Sequence, residues 1–544
     1  MKLSDHDLRQ LDEKVIRSLS PDAVENLAVN LLDDLKDSRE RQNQDSQNSS
    51  RPPSSQAPWD KRSAHTDQDD VENDDESSEP LTEDGALAAA VQSDTEGTST
   101  DTGPEKAEDA SALKNTQDSS CDGLTRKAGK QPGAQGFGRT QKMPVHKNQA
   151  HTPSECACCC QKFDTITLES RVAYTAFDTL EIEWGHPANP GLSVVNTRHT
   201  YFEIPCLCGH ISRAAPFHLP PDDELPGVAL SEWRLVGPSF AGLIVCLCKR
   251  MRLSRARIRE FLEDWVGVTL SVGTINNTIH EAGRAAMPVE NLLIDEVLKS
   301  DLLYIDETSW LQKGELFWLW GFISTTVVFF KISKRTSYVF QDLIINRHFT
   351  GWIMTDGYQV YRQYQKRLRC WAHLIRKAQG LKEALNSEAQ IFGEKTLTLM
   401  DELIKAIKEA RESPPAILLS VVYKQPLKEY QQLCEKMRQS EHEKTHALAV
   451  EMLNDWDAIF IILKHPNLPL TNNEAERALR HWVILRKISY GTRTAVGSRV
   501  FAILASVIET CRVRQCSPWR YLADVIAKRR AGLPVPPLPL PAKC

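Results

Sequence analysis

Acidic residues that could hold divalent metal ions follow two apolar runs of the chain. Residues 302–305 lead into Asp306 and Glu307, and residues 351–355 lead into Asp356. A short apolar run bounded by charge is typical of a strand that is buried on both faces. Carboxylates at neighbouring strand ends meet at one edge of a sheet, where active sites of α/β folds gather. Either run alone is better explained as a solvated strand end, so a function depends on whether the acids converge.

A third acid is expected in LTNNEAERALRHWVILRKISY, which begins a helix near its two asparagines. Glu474 follows Thr471 at the spacing of a capping box, and Glu476 follows Asn473 at the same spacing. Both glutamates therefore have a sufficient structural explanation. The cations that follow Glu476 are Arg477, Arg480, Arg486 and Lys487. A phosphodiester site needs acids that hold metal and cations that hold phosphate, so Glu476 remains a candidate.

Three such carboxylates, on two strand ends and one helix, can hold two divalent ions about 3.5–4 Å apart. Hard oxygen ligands suit Mg²⁺ or Mn²⁺ rather than Zn²⁺. One ion activates a water or a 3′-hydroxyl, and the other stabilises the leaving oxygen of an in-line displacement at phosphorus. The acids therefore indicate phosphoryl transfer, provided that the fold brings them together.

Clustered cysteines indicate a second and different metal centre. CACCC supplies Cys156 and Cys159 at C-x-x-C spacing, and CLCGH supplies Cys206 and Cys208. A strand-rich segment joins the pairs, which predicts a zinc-ribbon-like module over residues 151–220 in which thiolates hold Zn²⁺ tetrahedrally. The second pair is one residue tighter than the usual knuckle, and free buried cysteines are the simpler alternative. The substitute ligands that remain open are Cys158, Cys160 and His210.

Three candidate helices between residues 228 and 295 follow this module. Ser254 and Ser271 are good N-caps and Gly267 is a good stop, so a helix, a turn and a second helix predict a helix-turn-helix. Its polar residues could contact base edges or phosphates of DNA. These residues are Arg255, Arg257, Arg259, Asn276, Asn277, Thr278 and His280. A plain helical bundle fits the same pattern equally well.

Three apolar runs, a helix and a fourth apolar run predict the sheet that would position the acids. The runs are LLYIDETSW, FWLWGFIST, TVVFFKIS and, after the helix, GWIMT. This order predicts an RNase H-like core over residues 300–495 in which the first and fourth strands are adjacent. Asp306 and Asp356 would then lie side by side, with Glu307 on the opposite face of the pleat. Residues 381–465 are charged and helical in pattern, which predicts an all-α insertion into this core.

A basic helix is predicted directly after the fourth strand, in YQKRLRCWAHLIRKAQGL. His373 and Arg376 are one helical turn apart, together with Arg369 and Lys377, and could face DNA. Cys370 and His373 share the same spacing and could bind metal. A half-buried helix with a satisfied histidine explains the pattern equally well.

The remaining segments are predicted to frame these parts. Residues 1–46 carry leucines at helical spacing, which predicts a helical region that either packs on its own body or mediates oligomerisation. Residues 47–150 are polar and acidic, which predicts a disordered linker. Residues 496–530 predict closing helices, and residues 531–544 a proline-rich, exposed tail.

The distribution of charge separates the linker from the rest of the chain. The formal net charge is −6, but residues 61–130 hold 18 acidic and 7 basic residues, which leaves residues 131–544 net positive. A basic folded part fits a polyanionic partner such as DNA. No apolar segment reaches the roughly 18 residues of a membrane span, and the N-terminus is too polar for a secretory signal. We expect a cytoplasmic protein with no membrane partner.

The chain resembles the DDE transposases of the IS66 family of bacterial insertion sequences. The matching motifs, which cover nearly the whole chain, are NSSRPPSS (48–55), KQPGAQGFGR (130–139), CACC with CLCG, IDETSW (305–310), TDGY (355–358), CWAH (370–373) and NNEAERALR with LRK (472–487). The resemblance implies an N-terminal helical region, a zinc-binding module, a helix-turn-helix and an RNase H-like catalytic core. The chain departs from the family in its acidic stretch at 60–125 and in its tight CLCG pair.

The resemblance also implies a catalytic triad of Asp306, Asp356 and Glu476, because the acid of the family directly precedes the arginine of NNxxER. It implies a transposase that binds element ends and target in double-stranded DNA and uses Mg²⁺ or Mn²⁺ for strand cleavage and transfer, with structural Zn²⁺ elsewhere. We expect a bacterial homo-oligomer on DNA, with accessory proteins of the element as further partners. A non-catalytic zinc and helix-turn-helix regulator and an RNase H-like nuclease or resolvase are the alternatives.

Overall fold

The structure is a computed structural model that describes residues 141–164, 168–184, 191–334 and 337–541, together with Ala28 and Leu31. These two residues are helical and exposed. The rest of the predicted N-terminal helical region, and the acidic linker up to residue 140, lie outside the described residues.

The first sheet carries the clustered cysteines at its ends. Its strands are β1 (Lys147–His151), β2 (Val172–Trp184), β3 (Leu192–Pro205) and β4 (Ile211–Arg213). β3 lies between β1 and β2 and also pairs with β4, and only the β1–β3 pair is parallel. β1 begins inside the segment predicted to be a linker, because its polar sequence gains main-chain hydrogen bonds from β3. A small pair of strands follows, β5 (His218–Leu219) and β6 (Leu230–Ser231).

Four helices connect this module to the second sheet. They are α1 (Pro238–Lys249), α2 (Arg255–Val266), α3 (Val272–Ala286) and α4 (Val289–Leu298). The predicted caps are confirmed: the Ser254 hydroxyl accepts from Arg257 N at 3.2 Å, and that of Ser271 from Thr274 N at 3.0 Å. Gly267 ends α2 in the left-handed region, with φ of 71°, where a side chain would be strained.

The second sheet has five strands in the order β11-β10-β7-β8-β9. They are β7 (Leu302–Gln312), β8 (Glu315–Ile323), β9 (Val328–Ser333), β10 (Trp352–Thr355) and β11 (Arg367–Arg369). The first three form an antiparallel meander, and β10 is parallel to both β7 and β11. The predicted adjacency of the first and fourth strands of this sheet is therefore confirmed.

The prediction that β7 stops at Asp306 is wrong, because the strand continues to Gln312. Residues 306–312 stay paired with β8 through the hairpin turn. Only the pairing with β10 ends early, at Tyr304 with Met354. Asp306 therefore lies within a strand, at the point where its neighbour on one side has ended.

Helices fill the remaining connections. Between β9 and β11 they are α5 (Ser337–Phe340), a π-helical turn (Gln341–Ile345) and a 3₁₀ turn (Gln359–Gln363). After β11 they are α6 (Trp371–Lys382), α7 (Ser387–Glu412), α8 (Leu419–Val422), α9 (Lys424–Met437), α10 (Glu443–Asn454), α11 (Trp456–Phe460) and a 3₁₀ turn (Ile461–Leu463). The chain closes with α12 (Asn473–Ser489), α13 (Ala495–Val513) and α14 (Pro518–Arg530). Residues 381–465 are thus all-α, as predicted.

Alternate residues of β7 face different hydrophobic cores. Leu303 and Ile305 pack in a core with the helices α1–α4, α13 and α14. Trp310 lies in a second core with Leu479 and Trp482 of α12. This second core holds α12 against the face of the sheet from which Asp306 projects.

The proline-rich tail is mostly exposed over its described residues 531–541, as predicted, but it also packs back onto the closing helices. Arg514 donates to the main-chain oxygen of Pro539 at 2.8 Å, and the Tyr521 hydroxyl to that of Pro536 at 3.2 Å. Carbonyl groups of a proline-rich segment lack their own N–H partners, so they accept from side chains. None of the helices among the described residues combines the length and the apolar composition needed to cross a membrane.

Candidate active site and metal centre

Asp306 and Asp356 are brought together by two parallel strands. β10 pairs with β7 in the register Met354 with Tyr304, so two further residues along each strand lead to Asp356 and Asp306. Neighbouring strands lie about 4.8 Å apart where they are paired, so the two acids follow from adjacent positions at the end of that pairing. Asp306 accepts from Glu307 N and Asp356 from Tyr358 N, each at 2.9 Å. Both carboxylates are half-buried.

Glu476 joins them from the first turn of α12, where its side chain is 8% exposed. The N-cap residue of the helix is Asn472, whose side chain makes no cap hydrogen bond, so neither Thr471 nor Asn473 stands at the N-cap that the predicted capping boxes need. Glu474 is instead exposed and pairs with Arg477 at 3.0 Å. The two glutamates that compete on spacing alone thus differ in their surroundings: one lies inside and the other faces solvent.

The electrostatics of Asp306 tie the three acids together. Burial raises the pKa of its carboxyl well above the usual range, and the negative charges of Asp356, Glu307 and Glu476 raise it further. Like charges that share a partly buried site disfavour ionisation of one another, so a bound cation would relieve that repulsion. Across the ladder, Asp306 pairs with Gly321, which puts no side chain beside it.

Glu307 belongs to the opposite face, as the strand alternation predicts. Its carboxylate accepts a hydrogen bond from the Tyr361 hydroxyl. The pKa of Tyr361 is raised well above its ordinary value by burial and then by the charges of Glu307, Asp356 and Asp306. The phenol therefore stays protonated and donates its hydrogen bond to Glu307, whose charge still acts on Asp306.

Cys370 and Asn472 link the segments that carry the acids, and spacing alone did not single them out for this role. Cys370 N donates to Thr355 O at 3.0 Å, directly before Asp356, and its Sγ accepts from Asn472 N at 3.3 Å. The Asn472 amide donates to Ile305 O at 3.0 Å. Cys370 is fully buried and its sulfur accepts from Asn472, and the metal-ligand role considered for it with His373 stays a prediction. The only sequence signal for a role of Cys370 and Asn472 was their presence in CWAH and NNEAERALR, two of the motifs that carry the family resemblance.

The helical insertion supports the loop after β10. Asp455, at the end of α10, is buried and forms salt bridges with Arg367 at 2.8 Å and with Arg362 at 3.0 Å. Arg369 pairs with Glu451 of the same helix, and its Nη2 would lie 2.5 Å from a Cβ at position 357. A side chain at position 357 would therefore displace the Arg369 guanidinium from its place beside Glu451.

The four cysteines at positions 156, 159, 206 and 208 come together and could bind a metal such as zinc. Their sulfur atoms all lie within 4.8 Å of one another, with Cys156–Cys208 and Cys159–Cys206 each at 3.6 Å. Zn–S bonds of about 2.3 Å in a tetrahedron place sulfurs roughly 3.8 Å apart, so the cluster fits zinc. The pKa of Cys156 is lowered to about 6, chiefly by a backbone hydrogen bond from Cys159, which favours a thiolate. Among the described residues, Cys158, Cys160 and His210 lie outside this group.

Comparison with known proteins identifies the group to which this fold and site belong. Residues 234–500 match the family model described as Transposase IS66 family. The chain belongs to the IS66 transposase family. That match spans α1–α4, the five-stranded sheet, the insertion and the α12 helix, and so includes all three acids.

Three relatives come from Sinorhizobium fredii and carry the names of uncharacterized proteins. The protein y4qI is 21% identical over 385 residues, which cover 63% of this chain and 67% of that one. The protein y4hP is 38% identical over 77 residues, or 14% of each chain. The protein y4jO is 26% identical over 155 residues, which cover 28% of this chain and 46% of that one.

In this member of the transposase family, the predicted DNA-binding cations of α12 divide into two groups. Arg486 is half-buried and donates to the main-chain oxygen and, at 2.7 Å, to the hydroxyl of Ser309, so it holds the helix to β7. Arg477 pairs with Glu474, whereas Lys487 is exposed and Arg480 half-buried. Lys487 is therefore better suited than Arg486 to contact phosphate.

The basic helix α6 is less open to DNA than predicted. The pKa of His373 is lowered to about 3 by burial and then by the charges of Arg376, Arg369 and Lys377, so the ring is neutral at pH 7. Arg376 is half-buried and donates to Ala372 O of its own helix at 3.2 Å. Any contact of His373 with DNA would therefore be made by a neutral ring, because neighbouring cations and burial both oppose its protonation, and that contact stays a prediction.

The helix pair α2 and α3 keeps part of its predicted polar surface. Arg257 and Asn277 are exposed, and Arg255 donates to Asn276 at 2.8 Å across the two helices. The outward placement expected for Thr278 and His280 is wrong. Thr278 is buried and bonds to Thr274 O of its own helix, and His280 is half-buried.

Proposed function

We propose that this transposase cleaves and joins DNA strands with a metal-dependent triad of Asp306, Asp356 and Glu476. The observation that carries the proposal is the parallel register of β7 and β10 at the residues that precede Asp306 and Asp356, with Glu476 buried on the helix that packs against β7. The charges of Asp356, Glu307 and Glu476 all raise the pKa of Asp306. Carboxylates from a strand, from the end of the neighbouring strand and from a helix act on one another, although they are far apart in sequence. Such repulsion costs stability unless a cation offsets it.

The arrangement of the strands supports an RNase H-like core. Three antiparallel strands are followed by a fourth that pairs parallel to the first and a fifth that pairs parallel to the fourth. Asp306 lies on the first of these strands, and Asp356 directly follows the fourth. The insertion lies between the fifth strand and α12, and so separates the second acid from the third in sequence.

The donor set fits Mg²⁺ or Mn²⁺. Asp306, Asp356 and Glu476 offer carboxylate oxygens, which hard divalent cations prefer, and the half-buried aspartates leave room for water and phosphate oxygens. When bound, the ions would polarise the phosphodiester and lower the pKa of the attacking hydroxyl. The protein's own part is to hold the acids in place, through Asn472 and Cys370, and to offer cations such as Lys487 to the phosphates.

The remaining parts suit recognition of DNA ends. Exposed Arg257 and Asn277 on the α2–α3 pair could contact a duplex as a helix-turn-helix does. Zinc held by the four cysteines would stabilise the first sheet, whose small core needs such support. A homo-oligomer would let two element ends meet in one complex.

The test is strand transfer of a duplex that carries the inverted repeat found beside this gene, with Mg²⁺ and target DNA. We expect Asp306→Asn and Glu476→Gln to lower product formation by at least about 10³-fold, as removal of a metal ligand does. Glu474→Gln is the matched control, because Glu474 is two residues away on the same helix but exposed, and it should remain active. Full activity of Asp306→Asn would overturn the triad. Tight binding without cutting by the unaltered protein would instead favour the regulator.

A further inference from the structure

A second functional surface lies at the far end of β7 and α12, and we call it the hairpin-end surface. It contains the turn between β7 and β8 and the residues that end α12. Its large apolar side chains are exposed: Tyr490 by 79%, Ile488 by 57%, Leu316 by 57% and Leu311 by 37%. An exposed cluster of this kind, beside charged groups, marks an interaction site.

Main-chain contacts join the two segments of this surface. Thr492 N donates to Leu311 O and Lys313 N donates to Thr492 O, each at 2.8 Å. A Cβ at position 491 would lie 2.1 Å from Leu311 O, so only glycine permits this approach. The α12 end and the hairpin turn therefore form one local unit.

Side chains also brace this unit from below. The Trp310 indole N–H donates to the Thr492 hydroxyl at 3.1 Å. That hydroxyl also lies 2.6 Å from the hydroxyl of Ser498, which donates to the Gln312 side chain at 2.6 Å. Rigid support of this kind is what positions a side chain for binding, because little ordering remains to be done.

Tyr490 is displayed by this unit in an unusual backbone conformation. Its φ of 55° lies in the left-handed region, which disfavours residues other than glycine, asparagine and aspartate. The ring gains no compensating burial, since 79% of the residue is exposed. The left-handed conformation ends α12 as a C-cap, with Tyr490 N donating to Arg486 O at 2.7 Å, and it leaves the ring directed to solvent.

The charge around the aromatic ring is mainly positive. Lys313, Lys487 and Arg493 are exposed, and none of them forms a salt bridge with a described residue. Glu315 is the acid at the same turn, and it is exposed as well. This surface therefore has more positive than negative groups, next to exposed apolar side chains. Such a combination fits duplex DNA, because DNA has a negatively charged backbone and an apolar interior of stacked bases.

The same two elements carry the acids and the surface. Asp306 and Gln312 are six residues apart on β7, about 20 Å at 3.3 Å per residue. Glu476 and Tyr490 are fourteen residues apart on α12, about 21 Å at 1.5 Å per residue. With a rise of about 3.4 Å per base pair, DNA that spans both sites would cover roughly six base pairs between them.

We propose that the hairpin-end surface grips duplex DNA about six base pairs from the reacting phosphate, with Tyr490 and Ile488 wedged against a base step and Lys313, Lys487 and Arg493 on the flanking phosphates. The inference rests on the proposed function. Wedging of apolar side chains opens or kinks a base step, and the extra contacts repay the lost stacking. The surface thus holds the strand in line with the acids.

The experiment uses the full-length protein and duplexes with a single 2-aminopurine, moved one position at a time away from the cleaved end. We expect fluorescence to rise at one step near six base pairs, because the probe brightens when it is unstacked. Tyr490→Ala should remove that rise and weaken binding about tenfold, while Tyr490→Phe keeps both. Tyr338→Ala is the control, since Tyr338 is an exposed tyrosine at 64% on α5. A comparison of duplexes that carry the element end with duplexes that lack it distinguishes binding of the element end from binding of target DNA.

Asp306→Asn separates failure of this inference from failure of the proposed function. We expect Asp306→Asn to unstack the probe without cutting. Unaltered protein that unstacks the probe but never cuts would leave the DNA grip intact and overturn the catalytic proposal. Strand transfer without unstacking of the probe at any position would overturn the proposed DNA contact of this surface. Unchanged DNA affinity and activity of Tyr490→Ala would overturn it as well. A change in oligomer mass in Tyr490→Ala, with unchanged affinity for DNA, would also overturn it, because the surface would then bind protein.

Discussion

The side-chain amide of Asn472 donates to the main-chain oxygen of Ile305 at 3.0 Å, directly before Asp306 on β7. The backbone N–H of the same asparagine donates to Cys370 Sγ, and Cys370 N donates to Thr355 O, directly before Asp356. One chain of hydrogen bonds therefore runs through all three segments that carry the acids. Asn472 and Cys370 are positioning residues, since they act on the carboxylates through the backbone.

Replacing Asn472 by alanine should lower the rate of strand transfer more than the affinity for DNA. The variant leaves a buried carbonyl group at Ile305 without its donor, at a cost of about 1–3 kcal/mol, and loosens the start of α12. We expect the rate constant to fall at least about tenfold, because small displacements of reacting groups are costly. Single-turnover kinetics beside a binding titration would measure this. Asn454→Ala, at an exposed position of α10, is the control, and equal losses in both variants would contradict the positioning role.

Replacing Cys370 by alanine should affect activity out of proportion to stability. The variant removes a buried sulfur and the acceptor for Asn472 N, with an expected loss of about 1–2 kcal/mol in the free energy of unfolding. Cys511→Ala is the matched control, since Cys511 is also buried but lies in the core away from the acids. Urea unfolding would compare their stabilities, and strand transfer their activities. Equal activity of the two variants would show that Cys370 only fills space.

His373 should make the protein less stable in acid. Its folded pKa of about 3 lies below the usual value near 6.5, so the unfolded state binds the proton more readily. The contribution of the neutral ring is present above about pH 6.5 and is lost as the pH falls toward 3. Unfolding free energies at a series of pH values should therefore fall less steeply for His373→Gln. The exposed His218 serves as the control, and an unchanged slope in His373→Gln would contradict the assignment.

Lys487→Gln and Arg486→Gln should have different effects, although the residues are neighbours. Lys487→Gln should reduce the slope of log affinity against log salt by about 1, because one phosphate contact is lost. Arg486→Gln should leave that slope unchanged and reduce stability by about 2 kcal/mol, because its guanidinium bonds to Ser309 of β7. DNA-binding titrations at several salt concentrations and urea unfolding would measure the two effects. A smaller salt slope in Arg486→Gln would show that it also binds phosphate.

Removal of one ligand of the cysteine cluster should release zinc. Purified protein should contain one zinc ion per chain, and Cys206→Ser should lose it together with several degrees of thermal stability. Cys158→Ser and Cys160→Ser change neighbouring exposed cysteines outside the cluster and should keep the metal. Elemental analysis and thermal unfolding would check both. Retention of zinc by Cys206→Ser would shift the ligand set to another residue.

Local patterns in the sequence were enough to predict the order of the first four strands of the second sheet and the cysteine cluster. The fifth strand, β11, lies in a segment that was wrongly predicted to be helical, and the helix begins only at Trp371. Apolar runs separated by turns predict strands because each run must be buried on both faces, and the connections limit which strands can be adjacent. The C-x-x-C and C-x-C spacings brought out the same four cysteines that the structure groups. The helix caps at Ser254 and Ser271 are equally local, since each depends on a single hydroxyl and a nearby N–H.

Long-range contacts decided what local patterns could not. β7 continues past Asp306 because β8 pairs with it, and the proline-rich tail is packed because Arg514 and Tyr521 donate to it. Glu474 and Glu476 have equivalent spacing, and only the packing of α12 on the sheet buries one and exposes the other. The residue types that could do the chemistry are thus determined by the sequence alone. Which of them meet is decided by tertiary structure, because burial and charge at each acid depend on elements distant in the chain.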